Sequence, residues 1–202
     1  LRTFSRLDEG DYKVVSIRES VESILTILGH KLKDRIQLDT HYGEPDRLEC
    51  FPSLLTQAIM NLVANSIDAI EGQGRIQIRT GAVDDWYEIA VTDTGHGIPP
   101  HLRERVMDPF FTTKPVGQGT GLGLSVVYGI VKQHKGWIEV DSEEGRGTEF
   151  RIYLPKYNLL DKKIFCGNRN LSHFLYRYRF TLILNCDFRT WIPMGDGQSL
   201  FL

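Results

Sequence analysis

Residues 52–70 repeat apolar and polar positions with the period of an amphipathic helix. At about 100° per residue, Asn61, Asn65 and Asp68 share an arc of roughly 60°. Leu55, Ile59, Leu62, Val63 and Ile70 fall on the opposite side. Asn and Asp compete with the backbone for hydrogen bonds and are mediocre helix formers. Three of them on one stripe, flanked by the small Ala58, Ala64 and Ala69, suggest a face that serves a ligand. A solvated face is the competing reading, and the stripe alone does not choose.

The rest of the chain follows in the same terms. Residues 12–16 read as a short strand. Ser16-Ile17-Arg18-Glu19 is a capping-box pattern opening a helix with Val21, Ile24, Leu25 and Leu28 inward. Residues 35–41 and 47–51 read as strands joined by a turn at 43–46, and Pro52 suits a first helical turn. Residues 74–83 and 86–93 read as a hairpin. Leu124, Val127, Tyr128 and Val131 mark a further helix ended by Gly136, and strands at 137–141 and 148–154 follow. The pattern predicts an α+β fold, a two-layer sandwich with a mixed sheet covered on one face by helices.

Two glycine-rich segments interrupt this pattern. Tyr87, Ile89 and Val91 alternate with polar positions, and Asp93 continues the inward set, so a carboxylate is expected to be buried at a strand end. Such a group needs a hydrogen-bonding partner. Gly95 and Gly97 after it allow a turn and close approach of a ligand. The second segment has glycines at 117, 119, 121 and 123 and leads into a helix start. Free backbone N–H groups and the helix dipole make that junction suited to an anion. Between the two, residues 107–120 contain Pro109, Pro115 and several glycines and are expected to form a long loop of the kind often used as a lid.

Taken in order, Asn61-x-x-x-Asn65-x-x-Asp68, Asp93-x-Gly95-x-Gly97, Phe110-Phe111-Thr112-Thr113-Lys114 and Gly119-x-Gly121-x-Gly123 resemble four boxes of the sensor histidine kinases: the N, first glycine, F and second glycine boxes. That family belongs to the ATP-binding group that includes gyrase B, Hsp90 and MutL. The resemblance covers roughly residues 1–155 and includes Gly145-Arg146-Gly147-Thr148-Glu149-Phe150. Residues 108–114 and 121–131 look most like the nitrogen-regulator (NtrB-like) type. The resemblance implies the Bergerat-type ATP-binding fold. It implies the end of a dimerisation helix at 1–10, a catalytic ATP-binding domain at 11–156 and a tail at 157–202.

The resemblance also implies ATP and Mg²⁺ as cofactors. At the matched positions Asp93 accepts a hydrogen bond from the adenine amino group, with Thr148 assisting unless it is a plain strand threonine. Asn65 is the magnesium ligand and Asn61 supports the metal or phosphates, so these two carry the catalysis. Asp68 and Ala69 border the base or its waters, and Gly95, Gly97 and Ile98 form the first glycine turn. Phe110, Thr112, Thr113 and Lys114 belong to the lid. Lys114 either reaches a phosphate or is solvated, and one of Phe110 and Phe111 can equally be a core anchor. Gly119, Thr120, Gly121, Leu122, Gly123 and Leu124 place backbone amides against phosphate oxygens.

Asn61 bears on the reaction. In the gyrase, Hsp90 and MutL branches a glutamate usually stands four residues before the shared Asn and orients water. An amide cannot act as a general base. Water attack is therefore expected to be poor, and phosphoryl transfer to an imidazole, its own nucleophile, is favoured. None of the six histidines (His30, His41, His96, His101, His134, His173) lies in the family's His-Glu…Asn-Pro acceptor pattern. His30 and His134 are expected near helix ends, where a cation is favoured. The implied partners are a histidine-containing dimerisation domain of the same parent protein, a response regulator and, for the parent, a second copy of itself. An ATPase or serine kinase of the same fold, or a non-catalytic nucleotide-binding module, are the alternatives.

Composition adds little. With 202 residues the chain can bury about 70% of its unfolded surface. A net charge of −2 gives no reason to expect nucleic acid. Cys50, Cys166 and Cys186 have no metal-ligand spacing and suggest reduced thiols in a cytoplasmic setting. No apolar run approaches a membrane span, although the parent can be anchored through other segments. Residues 157–202 carry six basic and three acidic residues, a net of +3 against −5 for the remainder, and do not fit the family pattern.

Overall fold

A computed structural model describes residues 12–114 and 119–156. The chain divides into two units, Leu1–Leu160 and Asp161–Leu202. The expectations for residues 1–10 and 157–202, including Cys166, Cys186 and His173, lie outside the described residues. Among those residues no helix is long and apolar enough to cross a membrane.

The first unit runs β1 (Lys13–Ser16), α1 (Ile17–Leu32), β2 (Ile36–Tyr42), β3 (Arg47–Cys50), α2 (Pro52–Ala69), β4 (Gly74–Val83) and β5 (Trp86–Asp93). A 3₁₀ turn at Pro100–Leu102, α3 (Gly123–Gln133), β6 (Trp137–Glu143) and β7 (Gly147–Pro155) complete it. Five strands form one sheet in the order β2-β4-β5-β7-β6. The pair β2–β4 is parallel and the others antiparallel, so the sheet is mixed as expected. A parallel pair needs a crossover, which α2 supplies. The strands at 35–41 and 47–51 are joined by a turn but do not share a sheet, because β3 pairs with β1 instead.

Alternation along the strands separates two environments. Ile76 and Ile78 of β4, Tyr87, Ile89 and Val91 of β5, and Phe150, Ile152 and Leu154 of β7 are buried with the apolar faces of α1, α2 and α3. The intervening positions carry Arg79, Glu149 and Arg151, linked by ion pairs at 2.6 and 2.9 Å. Trp137 stacks on Tyr153 with ring centroids 4.7 Å apart. Among the described residues, helices thus cover one face of the sheet.

Three local expectations changed. Ile70 caps α2 rather than belonging to it, and it is still buried. Ala58 faces the core at 0% exposure, so only Ala64 and Ala69 flank the stripe on the cleft side. In α3, Ile130 is buried and Tyr128 is exposed.

The start of α1 shows why a local pattern can be right and incomplete. Ser16 Oγ accepts from the Glu19 N–H at 3.0 Å. The Ser16 hydroxyl donates to Asp46 Oδ2 at 2.6 Å, and the Arg18 N–H donates to Asp46 Oδ1 at 2.9 Å. Asp46 comes from the β2–β3 turn, so α1 is capped partly from across the fold. Ser16→Ala is expected to cost about 1 kcal/mol, lowering Tm by about 2–4 °C. Each change strips two bonds, but both of those lost in Asp46→Ala are made to a charged carboxylate, so it is expected to cost more. Thermal melts of both variants check the order.

Candidate nucleotide-binding site

The polar stripe of α2, the end of β5, both glycine segments and residues 98–114 enclose a cleft of about 1090 Å³. Asp93 lies at its inner end, 4% exposed. Its Oδ1 accepts the Gly95 N–H at 2.9 Å. Burial raises its pKa, and the Gly95 amide acts in the opposite direction. Thr148 stands opposite Asp93 in the β5–β7 register, and its hydroxyl shares a 2.9 Å hydrogen bond with Ser142. A carboxylate held in so dry a place offers a strong acceptor to a ligand donor.

The first glycine turn is shaped by backbone. Gly97 has φ +70, and a Cβ there would run into the carbonyl oxygen of Glu143. No side chain fits without moving the β6–β7 turn. The second glycine segment contains a comparable position. Gly121 has φ +65, and a Cβ would meet the backbone of Phe110. The lid and the glycine segment therefore touch main chain to main chain.

Asn61 and Asn65 project from α2 toward the start of α3. Asn61 Nδ2 donates to the Gly123 carbonyl at 3.3 Å. The Asn65 amide is half-buried, lines the cleft, and has no hydrogen bond among the described residues. α3 begins without a side-chain cap and without an acidic residue in its first turn. Its leading N–H groups have no intrahelical acceptors, so this end of the cleft suits an anion.

Two expected ligand contacts face each other instead. Lys114 Nζ lies 2.5 Å from Asp68 Oδ2, with both side chains substantially exposed. Such a pair is worth little in stability and is easily exchanged for another partner.

Most of the sequence-derived residues meet in this cleft: Asn61, Asn65, Asp68, Ala69, Asp93, Gly97, Ile98, Thr112, Thr113, Lys114, Gly119, Thr120, Gly121, Gly123, Leu124 and Thr148. Gly95, Phe110 and Leu122 do not line it. Gly95 acts through Asp93 and packs against Ala69. Phe110 is 74% exposed with φ +66, so it is not a core anchor, whereas Phe111 lines the cleft under the Arg105 guanidinium. Arg35 and Ser66 were not found from sequence. Arg35 donates to the Ile67 carbonyl at 2.6 Å near the end of α2, and the buried Ser66 hydroxyl has no hydrogen-bond partner among the described residues. Ser66 lies outside the stripe in helical projection, and Arg35 is far from every motif in sequence. His134 also departs from expectation: it is 2% exposed and its pKa is lowered by burial, so it is not a helix-end cation.

The family model described as "Histidine kinase-, DNA gyrase B-, and HSP90-like ATPase" matches residues 51–158. Sensor kinase CckA of Brucella abortus is 35% identical over 181 residues, covering 81% of this chain and 19% of CckA. Sensor histidine kinase ZraS of Salmonella typhimurium is 40% identical over 146 residues, covering 71% of this chain and 31% of ZraS. The chain thus spans less than a third of the length of these relatives. The nucleotide-free catalytic domain of histidine kinase ThkA superposes with a TM-score of 0.65 at 29% identity, covering 73% of this chain and 97% of that domain. ThkA in complex with the response regulator protein TrrA superposes at 0.60 with 25% identity, covering 72% of this chain and 42% of that one. The mixed five-stranded sheet and the helices on it, among the described residues, match the fold of the ThkA catalytic domain. The chain belongs to the histidine kinase-, DNA gyrase B- and HSP90-like ATPase family, as a catalytic domain of the sensor histidine kinase type.

Proposed function

We propose that this domain binds ATP with magnesium and passes the γ-phosphate to a histidine of a separate dimerisation domain, for relay to a response regulator. The observation that carries the reading is the wall formed by Asn61, Asn65 and the start of α3. It offers amides and backbone N–H groups for phosphates, and an amide where a water-activating carboxylate would stand.

The residues fit both ligands. Asp93 accepts from the adenine amino group, and the Ser66 hydroxyl, unpaired among the described residues, lines the same cleft. A site built on a buried acceptor rejects a base that lacks the donor, because the carboxylate would be left unpaired. Asn65 supplies one neutral oxygen to a hard cation. No cluster of three or more His, Cys, Asp or Glu able to hold a metal occurs among the described residues. An ion here takes its remaining ligands from water and phosphate, which is the habit of Mg²⁺. When bound, the ion neutralises charge on the phosphates. Lys114 can leave Asp68 for a phosphate oxygen as the lid meets the nucleotide.

In the transfer, the bond from the γ-phosphorus to the bridging oxygen breaks and ADP leaves. A phosphorus–nitrogen bond forms with the acceptor imidazole, whose proton passes to solvent. The domain contributes positioning and electrostatics, the main demands of phosphoryl transfer.

The test follows γ-labelled Mg-ATP on this chain, alone and with a histidine-bearing dimerisation domain from a relative such as ZraS. Alone, the chain is expected to retain intact ATP and release little phosphate. With the acceptor domain, the label is expected on histidine, in an acid-labile form. Rapid phosphate release without acceptor would favour an ATPase instead.

A further inference from the structure

The beginning of α2 and the end of α3 meet at His134, which does not line the cleft. His134 Nε2 accepts the Phe51 N–H at 3.0 Å, and Nδ1 lies 2.8 Å from the Ile130 carbonyl oxygen. One ring nitrogen must accept and the other must donate, which assigns a neutral imidazole with its proton on Nδ1. Phe51 precedes the first turn of α2, no side chain of that segment caps the helix, and Pro52 follows without an N–H. The imidazole therefore serves as acceptor for the start of α2 and donor for the end of α3.

A second polar tie runs from Asn61, midway along α2, to the carbonyl of Gly123 at the start of α3. Phe51 and Asn61 are separated by about 15 Å of helix, and Gly123 and His134 by about 16 Å. The two helices run antiparallel with matched spans between the ties. Apolar residues of both helices, Ile59 of α2 and Val127 and Val131 of α3, are buried in one core. Apolar burial has no direction and tolerates small slips, whereas hydrogen bonds at both ties define one register.

We propose that His134 is a positioning residue for the nucleotide site: its neutral imidazole, bonded to Ile130 and Phe51 at once, fixes α3 on α2 and so sets the glycine turn at Gly123 against Asn61 and Asn65. The proposal rests on the nucleotide-binding reading above.

A charge change at His134 undoes the arrangement. The ring packs against Tyr12 and Phe51, with centroids 6.3 and 5.4 Å away. Tyr12, ahead of β1, and Cys50 of β3 both have raised pKa values from burial and stay neutral near pH 7; the Cys50 thiol is pushed up to about 12. Glu49 of β3 acts on both Tyr12 and Cys50, and Lys132 and Lys135 flank His134 in sequence. Burial lowers the His134 pKa, with the Ile130 carbonyl acting the other way. The unfolded chain therefore takes up the proton first. The contribution of the neutral ring is complete above about pH 6.5 and is lost as pH falls below it toward the folded value. Protonation removes the acceptor for Phe51 and places a charge in a dry site.

The experiment measures Mg-ATP affinity calorimetrically for the whole chain, His134→Gln and His134→Leu, from about pH 7.5 to about pH 5.5, with circular dichroism at each point. His134→Gln keeps an acceptor for Phe51 and cannot titrate; His134→Leu keeps volume and loses both bonds. Near pH 7.5 the glutamine variant is expected within a few-fold of the unsubstituted chain, and the leucine variant about tenfold weaker, the factor of the Phe51 bond alone, since the Ile130 carbonyl keeps the backbone N–H of residue 134. As pH falls below about 6.5 the ratio of the unsubstituted chain to His134→Gln is expected to fall, because only the unsubstituted chain can charge its ring. Taking that ratio cancels the nucleotide's own titration. A flat ratio, or a folded His134→Leu chain that binds like the unsubstituted one, overturns the proposal. If His134→Leu does not fold, the glutamine comparison decides alone. Absence of binding by the unsubstituted chain at every pH overturns the nucleotide reading as well, which separates the two failures.

Discussion

Asp93→Asn is expected to weaken Mg-ATP binding by about 100-fold or more while leaving the fold in place. The affinity loss follows from the inner end of the cleft. Asn keeps an oxygen for the Gly95 N–H, now bonded to Asp93 Oδ1. Its NH₂ then occupies the other carboxylate position and meets the adenine amino group donor to donor. The stability argument is separate. Burial raises the Asp93 pKa, so the fold disfavours the ionised form. That cost begins as pH rises through the ordinary carboxylate value and is complete above the folded one. Asn removes it, but its neutral amide oxygen is a poorer acceptor for the Gly95 N–H than a carboxylate. The two oppose each other, and a net change of about 1 kcal/mol or less is expected. Calorimetric titration beside a thermal melt reads both. A folded variant that binds normally would remove Asp93 from the site.

Asn65→Ala has the second large effect, and it falls on transfer. The Asn65 amide has no hydrogen bond among the described residues, so truncation leaves no protein group unpaired. Ala is also the better helix former, by about 0.5 kcal/mol, so α2 is expected to be at least as stable. What disappears is the one protein oxygen assigned to magnesium. Nucleotide affinity in the unsubstituted chain is expected to improve on adding Mg²⁺, and in Asn65→Ala that gain is expected to vanish. Transfer to an added acceptor domain is expected to drop about 100-fold or more. Titrations with and without Mg²⁺, followed by single-turnover labelling, separate the two losses. Unchanged magnesium dependence would exclude Asn65 as the ligand.

Much of this site was legible before any coordinates. The Asn61, Asn65 and Asp68 stripe shares one side of α2 because helical spacing alone places it there. Asp93 is buried because strand alternation carries it inward past Val91. The glycines at 97 and 121 need left-handed backbone, and only glycine adopts it at so little cost. The hairpin of β4 and β5 likewise follows from local alternation and a short turn.

Other features depend on residues distant in sequence. Asp46 completes the cap of α1 from another loop, Lys114 meets Asp68 across the cleft, and β3 leaves its sequence neighbour β2 to pair with β1. Tyr128 points outward and Ile130 inward because α3 packs at an angle that periodicity does not specify. His134 carries this furthest. By position it is a helix-end cation, favoured by the dipole. In the fold it is neutral, because burial and a facing N–H outweigh that dipole. Periodicity, capping and glycine conformation act over a few residues and are written in the chain itself. Desolvation and hydrogen bonding between distant segments exist only once those segments meet, so the charge of His134 and the partner of Lys114 were decided by the tertiary structure.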